Sequence, residues 1–178
     1  MRLFIAIPFS ENANSYLEGF LSQLPKANMT LNHDFHITLQ FLGEASVSQA
    51  QVIMKELKKI KFKKFLINIG KVDVFKNNIG SIRLVYADLS VPEELKKLQI
   101  QVEELMGNLG FYLDKPFKPH ITLARIKFAN DKVFEDGLKK IKTQNTVEVL
   151  DKVVLFESIL TPEGHKYNEL ITVQSDDA

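Results

Sequence analysis

The chain has 178 residues, about the size of one domain, and its 45% hydrophobic content suffices for a full core without metal or disulfide support. It contains no cysteine, which excludes disulfides, thiolate zinc sites and a cysteine nucleophile. With 23 basic and 22 acidic residues the net charge is +1, which argues against a protein that coats long nucleic acid but not against one that recognises a single nucleotide end.

The first ten residues, MRLFIAIPFS, are apolar but few, and they lack a small-residue cleavage site. They read as a buried first strand rather than a signal peptide, and no stretch approaches the length of a membrane span. The expectation is a soluble cytoplasmic monomer with no membrane partner. Ser10 then caps a helix whose apolar stripe is Ala13, Tyr16, Leu17, Phe20, Leu21 and Leu24. DFHITLQFLG alternates and ends in glycine, as a strand does. A second helix spans about Val47 to Lys59, and two β runs, KFLINIGKVDVF and SIRLVYADL, flank the turn KNNIG.

The second half opens on Ser90 and Glu93, which spell a capping box, followed by the stripe Leu95, Leu98, Val102, Leu105 and Leu109 and a stop at Gly110. KPHITLARI reads as a strand. A shorter helix follows around Lys132–Ile141, capped by Asn130 or Asp131. The β runs TVEVLDKVVLFESIL and HKYNELITV close the chain around the turn TPEG.

Both halves therefore spell helix, HITL strand, helix, strand, turn, strand. The two HITL segments start at His36 and His120, 84 positions apart, in a chain with four histidines. Agreement at three further positions arises by chance only about once in a few thousand pairs. The order implies an internal duplication, with lobes of approximately 10–89 and 90–174 in one domain. The expected fold is α+β: two antiparallel sheets with outer helices around a central cleft, related by a pseudo-two-fold axis.

On a strand, alternate side chains share a face, so His36 and Thr38 point one way while Ile37, Leu39 and Phe41 point the other. The same parity separates His120 and Thr122 from Ile121 and Leu123. If the two strands meet at a cleft, it holds two imidazoles and two hydroxyls. That set suits a phosphodiester: one imidazole takes a proton, an imidazolium gives one, and the hydroxyls hold the non-bridging oxygens.

FHITLQFLG and FKPHITLAR, together with RLFIAIP, RLVYADL and VLFESILTPEGHKYNEL, resemble the 2H phosphoesterases, and within them the RNA 2′,3′-cyclic phosphodiesterases also called 2′-5′ RNA ligases. The resemblance spans nearly the whole chain. It implies opening of a terminal 2′,3′-cyclic phosphate to a 2′-phosphate, with neither metal nor nucleotide cofactor, on RNA that includes tRNA fragments among its candidates. It makes His36 and His120 the acid–base pair, with His120 activating water and His36 protonating the 3′ oxygen. Thr38, Thr122 and Arg125 become the phosphate holders. Strict alternation points Arg125 away from His120, so direct contact requires a bulge or a strand end. Members often carry a tryptophan shortly before the first motif, where this chain has KANMTLNHDF.

The same residues also suit the reverse reaction, ATP-independent 2′-5′ joining of RNA halves, a cyclic-phosphate or 2′-5′ oligonucleotide diesterase, or a non-catalytic RNA-end binding module. His33 and His36 are spaced to fall on opposite faces of a strand, so shared metal ligation is not expected. His33 is assigned to the surface and His165 to solvent. Tyr167 is read as core, with closure of one cleft end as the other reading. The six lysines of residues 55–64 read as a solvated face, with RNA steering as the functional alternative.

Overall fold

Alternation in the β runs turns one face of each long strand toward helices that alternation cannot build. The computed structural model describes residues 1–162 and 164–178. In chain order the elements are β1 (Arg2–Pro8), α1 (Glu11–Leu21), β2 (Asn28–Leu31), β3 (His36–Glu44), α2 (Val47–Leu57), β4 (Phe65–Lys76), β5 (Ile82–Leu89), α3 (Glu93–Gly107), β6 (Ile121–Phe128), α4 (Asp131–Leu138), β7 (Thr146–Leu150), β8 (Lys152–Thr161) and β9 (Gly164–Gln174). Leu3, Ile5, Ile7, Ile37, Leu39, Ile121 and Leu123 from the strands meet Leu17, Phe20, Ile53, Leu98, Val102 and Phe134 from the helices in one core. Among the described residues, no helix is long and apolar enough to cross a membrane.

Local sequence explains most boundaries. The Ser10 hydroxyl accepts from the Ala13 N–H and starts α1, and Ser46 with Gln49 forms a full capping box on α2. Asn130, not Asp131, caps α4. The capping box expected at Ser90 and Glu93 is not formed. Pro92, with its fixed φ, takes the N-cap position of α3, and the Ser90 hydroxyl instead accepts from the Asn68 N–H at 2.8 Å. The helix ends at Gly107, ahead of Gly110, whose φ of +86° belongs to the turn that follows. Of the turn expected over residues 161–164, position 163 lies outside the described residues.

The strands follow the order β7-β4-β5-β6-β3-β1-β8-β9, and β2 pairs with β6. The two expected sheets are the halves of this path. They touch between β3 and β6 at one bridge, Ile37 opposite Ile121. Both isoleucines are fully buried; truncating either to alanine removes packing worth about 2–5 kcal/mol at the junction.

The halves of the sheet are not the sequence lobes 10–89 and 90–174. The β4–β5 hairpin of the first repeat lies beside β6, and the β8–β9 hairpin of the second lies beside β1 and β3. The helices are exchanged likewise, α1 packing on β6 and α3 on β3. The run TVEVLDKVVLFESIL, which reads as one strand, breaks at Asp151 because its two parts serve different halves, β7 on β4 and β8 on β1. Buried Glu148 on β7 also reaches across to α1, accepting from the Ser10 N–H at 2.7 Å and the Ser10 hydroxyl at 2.9 Å.

Candidate active site

The Ile37–Ile121 bridge sets the geometry of the cleft. Two antiparallel strands in that register place His36 across from Thr122 and Thr38 across from His120, all four on the face away from the core. Each imidazole is anchored in the same way. Nδ1 of His36 hydrogen-bonds to the Asp34 carbonyl and Nδ1 of His120 to the Lys118 carbonyl, both at 2.8 Å. A carbonyl can only accept, so Nδ1 carries the hydrogen and a neutral ring presents the Nε2 lone pair. Among the described residues, neither Nε2 nor the hydroxyls of Thr38 and Thr122 have protein partners, which leaves them available to a ligand.

The walls are aromatic. The His36 ring lies 5.1 Å from Phe4 and 5.5 Å from Tyr167, which stands edge-on to it. The His120 ring lies edge-on to Phe75 at 5.0 Å and to Tyr86 at 5.8 Å. Burial among these rings is the main reason both imidazoles titrate below the usual histidine value. His36 is lowered to about 4, with a further push from His120 and the least from Arg125, against the Asp34 hydrogen bond, which acts in the opposite sense. His120 is lowered by burial, then by Arg125 and Lys118, against the hydrogen bond to the Lys118 carbonyl.

Arg125 reaches this face through a bulge. On β6, consecutive Leu123 and Ala124 are both fully buried, and the register with β5 slips there, pairing Tyr86 with Thr122 but Val85 with Ala124. The extra residue reverses the parity, so Thr122 and Arg125 share the cleft face. The first motif repeats the device: Leu39 and Gln40 are both buried, and Ala6 pairs with Thr38 but Ile5 with Gln40. Phe41 occupies the position equivalent to Arg125. It lies on the cleft face, 64% exposed and 5.9 Å from Phe4, rather than in the core as strict alternation required.

The structure thus brings His36, Thr38, His120, Thr122 and Arg125 to one cleft. Tyr167, read as core, lines the cleft instead, packed on the small cluster of Phe4, Ala6, Val154 and Phe156. His33 is exposed and pairs with Glu18 at 2.8 Å, and His165 is exposed beside Ser158. Several of the six lysines of residues 55–64 are committed to neighbours: Lys59 to Glu56, Lys61 to Asp176 and Lys64 to the C-terminal end. A groove of about 620 Å³ between α2 and β9, lined by Met54, Lys55, Lys58 and Leu170–Val173, shares no residue with the cleft. Phe4, Phe75, Tyr86 and Lys118 escaped sequence reasoning. Lys118 alone left a signal, since it stands two residues before His120 as Asp34 stands before His36.

The cleft thus presents two carbonyl-anchored imidazoles on strands that carry the same tetrapeptide. The family model described as LigT like phosphoesterase matches this chain twice, over residues 5–86 and 88–167, and the chain belongs to that family. The chain is 34% identical to a protein of Archaeoglobus fulgidus named RNA 2′,3′-cyclic phosphodiesterase, over 96% of this chain and 98% of that one. A protein of the same name from Methanocaldococcus jannaschii is 29% identical over 94% and 96% of the two chains. LigT of E. coli complexed with 3′-AMP has the same fold, with a TM-score of 0.81 at 19% identity over 99% of this chain and 98% of that one. TT0787 of Thermus thermophilus gives 0.74 at 26% identity over 98% and 97%.

Proposed function

We propose that this protein hydrolyses RNA 2′,3′-cyclic phosphate ends to 2′-phosphates through His36 and His120. The observation that carries the reading is the pair of Nε2 atoms presented to one cleft between two threonine hydroxyls, each ring locked by its Nδ1 hydrogen bond. The names of the archaeal relatives supply the substrate, and the fold shared with LigT, crystallised with 3′-AMP, is consistent with a nucleotide in the cleft.

In the reaction, Nε2 of His120 takes a proton from water as the oxygen attacks phosphorus. The phosphorus–O3′ bond breaks, and Nε2–H of His36 gives its proton to O3′, leaving a 3′ hydroxyl and a 2′-phosphate. Thr38, Thr122 and Arg125 hold the non-bridging oxygens. His120 suits the base because two cations, Arg125 and Lys118, disfavour its charged form. The proton on His36 is costly mainly because of burial, and the anionic phosphodiester offsets that cost once bound.

The test is incubation with a cyclic-phosphate oligoribonucleotide in EDTA. A 2′-phosphate product at full rate is expected. A 3′-phosphate product, or tight binding without turnover, overturns the reading.

A further inference from the structure

The reacting groups are two-fold symmetric, so by themselves they cannot tell one direction along an RNA chain from the other. Direction has to come from residues that break the symmetry. Two equivalent positions around the HITL segments do so: Asp34 against Lys118, and Phe41 against Arg125.

Their placement groups them in pairs. Asn32 donates to the Thr122 carbonyl, and Thr30 pairs with Arg125, so residues 28–37 run antiparallel beside 121–128. Asp34 and Arg125 therefore lie toward one end of the cleft. On the opposite side of the Ile37–Ile121 bridge along the two segments lie Phe41 of β3 and Lys118, just ahead of β6. There the segment before β6 passes β3, and the Phe111 carbonyl accepts from the side chain of Gln40. One end thus combines a cation with a carboxylate. The other combines a cation with an exposed aromatic ring, the usual pairing for single-stranded nucleic acid.

The Lys118 ammonium lies 4.3 Å over the ring of Phe75, whose edge abuts His120, and among the described residues it makes no ion pair. The 4.3 Å and 5.0 Å separations around Phe75 put the ammonium no farther than 9.3 Å from the centre of the His120 ring.

We infer that Lys118 binds the internucleotide phosphate on the 5′ side of the cyclic-phosphate nucleotide, so that the cleft reads an RNA end of at least two nucleotides and in one direction. This rests on the proposed cyclic-phosphate hydrolysis. The exposed face of Phe41 is the stacking surface at the same end.

Three substrates test it: a nucleoside 2′,3′-cyclic phosphate, a dinucleotide ending in the same group, and that dinucleotide with an uncharged methylphosphonate linkage. The wild-type protein should favour the charged dinucleotide over the neutral one by about fivefold in kcat/KM, carried by KM. Lys118→Gln should bring that ratio near one, Lys118→Glu should invert it, and Lys118→Arg should restore it. The salt dependence of KM on the charged dinucleotide should weaken in Lys118→Gln. Equal wild-type rates on charged and neutral linkages overturn the inference. So does a Lys118→Gln loss of the same size on all three substrates, which would place the ammonium on the reacting phosphate or on His120. Turnover of none of them by the wild type removes the underlying reading instead.

Discussion

β3 and β6 carry the same tetrapeptide, the same bulge after it and the same Nδ1-to-carbonyl anchor, yet the aromatic rings around each histidine come from different strands. His36 sits among Phe4, Phe156 and Tyr167, contributed by β1, β8 and β9. His120 sits against Phe75 and Tyr86 from β4 and β5, beside two cations. The two strands share what fixes an imidazole in space, and different residues bury the two rings. The difference teaches that position and protonation draw on overlapping groups: the strand and its carbonyl anchor fix the first, and burial among the neighbouring rings, opposed by that same anchor, dominates the second.

That contrast can be probed most directly at the histidines. His36→Ala and His120→Ala should each lower kcat by about 10²–10⁴-fold, measured on a cyclic-phosphate oligonucleotide. Their residual pH profiles should differ: loss of the acid removes the basic limb of the bell, and loss of the base removes the acidic limb. Near-wild-type turnover in either variant would end the two-histidine account. Thr38→Val and Thr122→Val should cost about 10²-fold each, with the histidine titrations retained by NMR. If only one of them matters, the phosphate sits off the two-fold axis and the symmetric picture of the centre is wrong.

A smaller effect sharpens the role of the neighbours. Both histidines titrate low in the free protein, and an anionic ligand favours their charged forms. The bell for kcat should therefore lie at higher pH than the bell for kcat/KM, since the second reports the free enzyme. Coincident bells would mean that the bound phosphate leaves the imidazoles untouched. The smallest effect is on stability. Because the folded value of His36 is about 4 against 6.5 in an unfolded chain, the unfolded state takes the proton first as pH falls below 6.5. Folding loses stability from there down to about pH 4, reaching about 2 kcal/mol at pH 5. His36→Gln should flatten that slope relative to wild type in urea titrations at pH 7 and pH 5; an unchanged slope would show that burial does not set the titration.

The fold class and the residues that share the cleft were legible because their signals are local. Period-two alternation placed His36 with Thr38 and His120 with Thr122, and the repeat made the two pairs equivalent. What stayed hidden is long-range. The hairpin signals around residues 77–80 announced a turn without saying which half of the sheet its strands would join. The four-residue β2, mostly exposed, has no apolar alternation to betray it. A bulge leaves only a doubled buried pair, Leu39–Gln40 or Leu123–Ala124, and one member of the first pair is polar. Phe4 and Phe156 became neighbours of His36 through sheet pairing alone, the second from more than a hundred residues away.

The exchange of hairpins and helices between the repeats bears on how such a chain can exist. A lone repeat would present its HITL strand without the hairpin that flanks it and its hairpin without a sheet to extend, so it would be half of an interlocked pair. Joining two repeats head to tail turns that encounter into an intramolecular one, at an effective concentration no free partner reaches. Neither repeat can then unfold without dismantling the other's sheet, and the two imidazoles meet only when both have closed.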